Sequence, residues 1–402
     1  MDSIWRRQCV VRWTPGDVVV SVRKPFLVKG ASVEDAVARL PALEGWGGSF
    51  DDEVDLLIVS RGFEKRVCAF PEDLAKRGAK IRGSILLGHY RTNAQDNDLR
   101  AEELMPLLDA IATHAHLLCD ADTPSAIRDA IHAVLDVLPD QAPCHVVFDI
   151  SASSSTFILS ALLTLLAIDR PIKLTVLYAT AAVYHTPQDD DIGRPAMQWA
   201  EAQQREQGVS DVGTNELQIG IHHDHLPGFA IAIPSMFGTR LQRCLGHLGL
   251  DSLDTEEQEI YWLLPDTDSE DHKWRHDAIM RTVMAILCCS NEETPASLPV
   301  GTFGHCGALD YKECARLVMR EIERRAGTNV SMIHMGTKLQ AVGVALALSA
   351  RPEVALVHAR PEAFTAKSYS DGVGTLHQVV FVDVREKVRH LARVGTLQIE
   401  AC

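Results

Sequence analysis

The sequence predicts an α/β protein with mainly parallel sheets. Short apolar runs of strand length alternate with longer apolar stretches of helical period, the pattern of parallel strands covered by helices on both faces. The alternation occurs twice, and at 402 residues the chain exceeds one ordinary core. Together these observations read as two tandem Rossmann-like units related by internal duplication. The first spans 51–190 and the second 226–376, with an N-terminal extension at 1–50, a connection at 191–225 and a C-terminal strand/helix extension at 377–402.

In the extension, 17–22 reads as a strand and 32–40 as a short helix, where Ser32 and Asp35 resemble a capping box with Asp in place of the usual Glu. The first unit opens with the buried-strand run 54–59, followed by Ser60-Arg61-Gly62-Phe63-Glu64-Lys65-Arg66. A second strand at 85–88 ends at Tyr90, and helical stretches follow at 102–114 and 124–138. The strand at 145–150 runs into the turn Ser151-Ala152-Ser153-Ser154-Ser155-Thr156 and an apolar helix at 157–168; after Arg170-Pro171 comes a strand at 174–179. From 188 to 225 the chain is polar and reads as a connection or surface helix. The second unit opens with a strand at 228–233 and the segment Pro234-Ser235-Met236-Phe237-Gly238-Thr239-Arg240. It closes with Ser331-Met332-Ile333-His334-Met335-Gly336-Thr337-Lys338, an apolar helix, Arg351-Pro352 and a strand at 354–359.

The halves correspond in order. Strand then Phe63-x-x-Arg66 parallels strand then Phe237-x-x-Arg240, and the junction at Asp149-Ile150-Ser151 parallels that at His334 to Lys338. Both following helices end before Arg-Pro, both next strands end in an aromatic ring and Ala (Tyr178-Ala179, His358-Ala359), and an aromatic follows at Tyr184 or Phe364. Any two Rossmann-like units share some of this rhythm without common origin.

Composition narrows the function. Hydrophobic residues at 46% and charged residues at 23% describe a globular protein. No apolar run reaches membrane-span length, and the first residues lack a signal-peptide core, so a cytoplasmic protein without membrane contact is expected. Ten cysteines without a C-x-x-C pair, two of them adjacent at Cys288-Cys289, indicate neither a zinc ribbon nor a disulfide framework. A net charge of −15 argues against general nucleic-acid binding but permits a small anion in a pocket.

The turn ending in Lys338 is built for such an anion. Unpaired amides at a helix N-terminus point outward, Gly336 lets a ligand approach the backbone, and Lys338 adds positive charge. The plain alternative is that Thr337 caps the helix and Lys338 stands in solvent; on the ligand reading too Lys338 is expected to be exposed, so that Lys338→Ala weakens anion binding while scarcely changing stability. In an open parallel sheet, ligands lie off the carboxyl ends of the strands, where Arg61, Gly62, Phe63, Arg66, Asp149, Ser151, Ser153, Ser154, Ser235, Arg240, His334, Gly336, Thr337 and Lys338 would gather. Asp149 could accept bonds from ribose hydroxyls and the serines could donate to phosphate; helix capping is the competing role. Arg66 and Arg240 would add positive charge, or form ordinary salt bridges, Glu64 being such a partner for Arg66.

Other motifs carry less. In His222-His223-Asp224-His225 neighbouring side chains of a strand point to opposite faces, so only His223 and His225 could share an ion. His272 and His276 have i, i+4 spacing without the Glu of a metalloprotease helix. No metal and no cofactor are expected. Arg385 and His390 have the spacing of a ribonuclease dyad without the helical bundle around it, and Tyr369 to Gly374 is a glycine turn able to close over a pocket or simply to join two strands.

These residues resemble the CRISPR-associated Rossmann-fold (CARF) sensors and their fused-pair relatives, the SAVED domains. There, a turn of the form Asp/Asn-x-Ser/Thr-x-x-x-Lys/Arg faces a cyclic oligonucleotide held across a two-fold or pseudo-two-fold axis. Asp149-x-Ser151 matches the opening, with Ser155 at the basic position; Lys338 matches the basic end, with Met332 and His334 in place of the acid and hydroxyl. The resemblance covers about 54–375 and implies a nucleotide-binding sensor in a prokaryotic defence or stress pathway, whose output passes to a separate effector protein or a homo-oligomer. The alternatives are an enzyme cleaving the phosphodiester or N-glycosidic bond of such a nucleotide, with Lys338 on phosphate and Asp149 or His334 as acid or base, and a non-catalytic scaffold subunit.

Overall fold

The computed structural model describes residues 27–28, 32–139, 143–184, 206–250, 259–267, 272–287, 303–364, 370–394 and 398–399. The strand expected at 17–22, the polar stretch from 188 to 205, the Cys288-Cys289 pair and Tyr369 lie outside them. In the first half the parallel strands are β1 (Leu56–Arg61), β2 (Ser84–His89), β3 (Leu117–Asp120), β4 (Cys144–Asp149) and β5 (Ile172–Ala179). Its helices are α1 (Ala69–Lys76), α2 (Ala94–Ile111), α3 (Pro124–Leu135) and α4 (Ser155–Ala167). The second half contains β6 (Asp211–Thr214), β7 (Gly228–Ile233), β8 (Glu259–Asp266), β9 (Phe303–Gly307), β10 (Asn329–His334), β11 (Ala355–Arg360) and β12 (Leu376–Phe381). With them go α5 (Gly238–His247), α6 (Lys273–Leu287), α7 (Tyr311–Arg324), α8 (Lys338–Ala350) and α9 (Val384–Ala392). A short helix, Val33–Ala38, precedes both halves, and Ser32 caps it by accepting from the Asp35 amide.

The first sheet has the order β12-β5-β4-β1-β2-β3, extended at the β12 edge by Glu44–Gly45. The second has the order β6-β11-β10-β7-β8-β9. Position for position the arrangements match: each has parallel strands and one antiparallel strand, β12 against β5 or β6 against β11. The two antiparallel strands are exchanged. β6 follows the first half in the chain but pairs in the second sheet, within the stretch read from sequence as a connection; β12 begins at the far end of the second half and pairs in the first sheet. The resulting fold is α/β with two Rossmann-like units and mainly parallel sheets.

Why the halves pack as they do follows from α4 and α8. Every residue from Phe157 to Leu166 and from Leu339 to Leu348 is buried, so neither helix has a face to offer water. A helix apolar all round must be enclosed on every side. The two lie against each other between the sheets, and one continuous core joins Phe148, Phe157 and Leu162 to Ile231, Met332 and Leu346. Phe70, Leu104 and Leu108 cover the outer face of the first sheet, while Leu241 and Ile279 pack with Trp262 of β8 on that of the second. No described helix is long and apolar enough to cross a membrane.

Close approach of α7 and α8 depends on Gly343, where a Cβ would lie 2.3 Å from the Tyr311 carbonyl oxygen and 3.0 Å from the Ala315 amide nitrogen. Gly343→Ala therefore forces backbone to move in a filled core and is expected to destabilise the fold by about 1–3 kcal/mol. Urea denaturation reads this as a lowered midpoint; an unchanged midpoint would mean that the two helices are not in this contact.

Candidate functional site

Between the carboxyl edges of the two sheets lies a cavity of about 960 Å³. Every parallel strand of both sheets delivers residues to its wall. From the first half come Gly62, Phe63, Glu64 and Arg66 after β1, Tyr90 after β2, Asp122 after β3, Ser153 to Thr156 after β4, and Tyr178 and Tyr184 at and beyond the end of β5. From the second come Ser235, Phe237 and Arg240 after β7, Asp266, Arg275 and His276 around the end of β8, Asp310 and Lys312 after β9, Gly336 to Lys338 after β10, and Arg360 at the end of β11.

A buried charge network crosses between the halves along this wall. The Arg66 guanidinium donates to both Glu64 oxygens at 2.7 and 2.9 Å, to the Ala179 carbonyl at 3.1 Å and to the Tyr178 hydroxyl at 3.3 Å. From the second half, the Ser370 hydroxyl donates to Glu64 Oε1 at 2.6 Å and Lys338 Nζ lies 3.7 Å from Glu64 Oε2. Lys338 Nζ also donates to the Ser153 carbonyl at 2.8 Å. Burial works against the Glu64 charge, yet Arg66, Lys338 and Ser370 hold its carboxyl below the ordinary range. Burial pushes the Lys338 ammonium down to about 8, with Glu64 opposing it. The lysine is thus no free surface group: its side chain is 19% exposed and spans the seam, correcting the solvent-exposed reading.

Thr337 does cap α8. Its side chain accepts from the Gln340 amide while the Gln340 side chain accepts from the Thr337 amide, a full capping box. That motif leaves the Lys338 and Leu339 amides for solvent or a ligand. Gly336 is required where it stands, since a Cβ would lie 2.4 Å from Gln340 Oε1 and 2.5 Å from Ile233 Cγ2. Ser154 caps α4 by accepting from the Phe157 amide at 3.1 Å, and its own amide donates to the Tyr90 hydroxyl at 2.9 Å. Ser235 accepts from the Phe237 amide at 3.2 Å. Arg240 repeats the Arg66 contact, donating to the Ala359 carbonyl at 3.4 Å.

Four expected residues do not reach the wall. Arg61 pairs with Asp98 at 2.7 Å away from the cavity. Asp149 and Ser151 are enclosed: Asp149 Oδ1 accepts from the Ser151 amide and hydroxyl, and Ser151 Oγ accepts from the Ala179 amide at 2.9 Å. Asp149 Oδ2 has no partner, and burial pushes the carboxyl up to about 7 although the Ser151 bonds oppose the rise. His334, at the matching end of β10, is buried with neither ring nitrogen bonded, and burial holds it down at about 3, a neutral imidazole. Both residues end a strand with the side chain turned beneath the cavity floor, a face that strand length alone did not specify. Sequence reading missed Tyr90, Arg275 and Arg360, because the strands preceding the latter two loops were unassigned or ended one residue early. Arg275 stacks over the Tyr184 ring at 4.6 Å, and the His272 ring meets Tyr184 edge-on at 5.2 Å.

The remaining motifs lie elsewhere. His223 and His225 are exposed, with rings 5.8 Å apart, and His222 contacts the Val330 carbonyl. Arg385 pairs with Asp169, and His390 Nδ1 lies 2.8 Å from the Glu386 carbonyl, so the spacing of Arg385 and His390 has an ordinary helical use.

No family model matches the chain, and no curated protein matches it. Among solved structures, a candidate universal stress protein from Pseudomonas aeruginosa UCBPP-PA14 is 10% identical over 84% of this chain and 96% of its own, with a TM-score of 0.22. The cytoplasmic domain of a prokaryotic cation chloride cotransporter is 7% identical over 79% of this chain and 99% of its own, with a TM-score of 0.21. A short chain dehydrogenase/reductase from Burkholderia phymatum, in complex with NAD, is 11% identical over 77% and 90%, with a TM-score of 0.18. Likenesses at these scores carry no argument about function.

Two outcomes are expected from the buried charges. Glu64→Gln leaves Arg66 and Lys338 enclosed without their carboxylate and should cost about 3–5 kcal/mol of stability by chemical denaturation. Asp149 titrates higher in the folded chain than in the unfolded one, so its contribution is present below about pH 4 and lost as pH rises through about 7. Asp149→Asn should therefore flatten the decline in stability across that window, removing a loss between pH 4 and pH 8 on the order of 4 kcal/mol; parallel pH profiles for the two proteins would contradict it.

Proposed function

We propose that this chain is a sensor that binds an anionic nucleotide, for example a cyclic oligonucleotide second messenger, in the cavity shared by its two halves. One observation carries the reading: the carboxyl edges of both sheets open onto a single cavity, with Lys338 at a capped helix N-terminus and Arg240, Arg275 and Arg360 on the same wall. Helix N-termini and guanidinium groups suit phosphate, and Phe63, Tyr90, Tyr184 and Phe237 suit the faces of bases. Small-ligand pockets run to roughly 300–1,000 Å³, so the volume suits more than a mononucleotide. Matching positions around it, such as Ser154 with Thr337 and Arg66 with Arg240, favour a ligand with repeating units and support a common origin of the halves. A sensor of this kind would pass its signal to a separate effector protein or to further copies of itself. The enzymatic alternative loses its assigned acid and base, since Asp149 and His334 lie off the wall.

Calorimetric titration with cyclic di-, tri- and tetranucleotides, followed by chromatography of the mixtures, tests both readings. Binding without product is expected. Lys338→Met removes a charge-assisted bond worth about 1.5–3 kcal/mol and should weaken the ligand by about 10- to 100-fold, measured well below the variant's lowered melting temperature. No binding across the panel, or equal binding by the variant, would overturn the proposal; product formation would move the chain to the enzyme class.

A further inference from the structure

We propose that Asp266, His276 and His305 form a three-ligand site for a divalent transition-metal ion, with Zn²⁺ as the representative guest, on the second half's side of the cavity. The site stands independently of the nucleotide reading. Asp266 is the last residue of β8 and His305 lies in β9, its parallel neighbour. The register pairs Leu264 with His305, and Asp266 is two residues beyond Leu264, so both side chains leave the same sheet face on a diagonal. His276 is in the first turn of α6, the helix that crosses that face after β8.

Both imidazoles approach one carboxylate oxygen. His276 Nδ1 lies 2.9 Å and His305 Nδ1 3.3 Å from Asp266 Oδ1, the second contact meeting hydrogen-bond geometry, and the three donors fall within 4.8 Å of one another. With metal–ligand bonds of about 2.1 Å, neighbouring ligand atoms stand about 3.0 Å apart in octahedral and about 3.4 Å apart in tetrahedral geometry. Hydrogen bonding does not account for the closest contact. The His276 Nδ1 atom is sealed from solvent and, at 2.9 Å, is not aligned to bond Asp266. Two donors that close, with lone pairs not directed at each other, suit a third atom between them. The two imidazole rings stack at 28° with centroids 5.7 Å apart and present the same nitrogen to the carboxylate.

Two imidazole nitrogens and one carboxylate oxygen favour Zn²⁺, Co²⁺, Ni²⁺ or Fe²⁺ over Ca²⁺ or Mg²⁺, which take oxygen ligands. Three protein ligands leave coordination positions open, as in sites where the metal itself meets a ligand. Asp266 and His276 both line the cavity, so water or an oxygen of a bound anion would complete the shell from that side. This proposed grouping departs from the expectation of no metal, which was drawn from local spacing, because its three members come from a strand end, a helix and the next strand. Among the described residues it is the grouping of three with such geometry.

Chelator-treated full-length protein titrated with Co²⁺, followed by displacement with Zn²⁺ in competition with a chromophoric chelator, tests the site. One equivalent should bind with a ligand-field absorption in the visible range, and Asp266→Asn, His276→Gln and His305→Gln should each weaken Zn²⁺ by at least about 10- to 100-fold. His305 is exposed, so His305→Gln retains the fold, which circular dichroism verifies. The double variant His223→Gln/His225→Gln should bind as the parent does. Absence of stoichiometric uptake, unchanged affinity in His276→Gln and His305→Gln, or loss of binding only in the His223/His225 variant would each overturn the proposal. In the first of these cases the three residues form ordinary carboxylate–imidazole contacts. The probe is the metal alone, so a failure of nucleotide binding leaves the result unaffected.

Discussion

The architecture depends on burying two helices that have no polar face. α4 and α8 can satisfy this only by packing against each other with a sheet behind each, and that arrangement settles most of the rest. Each helix begins directly after a central strand, so placing the helices together also places their N-termini, and the carboxyl edges of both sheets, around one space. The exchanged strands β6 and β12 reinforce the union, because each sheet is completed by chain from beyond the other half. Neither half has its full strand order without its partner.

Polar chemistry follows the same seam. Glu64 is enclosed, and an enclosed carboxylate is tolerable only with its charge and lone pairs satisfied. Arg66 supplies the local, two-pronged partner, while Ser370 and Lys338 arrive from the second half. The network therefore adds polar contacts between the halves, through Ser370 and Lys338, to the apolar core they already share. Burial draws the Lys338 ammonium down to about 8, and Glu64, 3.7 Å away, opposes the fall, so the two charges support each other across the seam.

Around the cavity the halves repeat each other's positions but not their chemistry. Arg66 and Arg240 reach equivalent carbonyls, and Ser154 and Thr337 cap equivalent helices. Asp149 stands where the other half has His334, and Ser155 where it has Lys338. Positive charge is consequently concentrated on the second half's side, beside the Asp266, His276 and His305 grouping. Any ligand spanning both halves meets two unlike receptors on a common frame.

The sequence by itself determined the local structure: alternating apolar runs dictate strands and helices, Ser32 and Thr337 dictate caps, and the solid apolar stretches around Leu162 and Val344 announce enclosed helices. The placement of loops at the carboxyl edges also followed, because a parallel sheet requires it. Only the tertiary structure decided that Lys338 meets Glu64 and Ser153, that β6 and β12 change places, and that Asp149 and His334 turn beneath the cavity. It alone brought His305 to Asp266 and His276. The physical reason is range: caps and periodicity act over three or four residues, whereas these contacts join segments separated by whole strands and helices, and no local preference encodes which distant partner completes them.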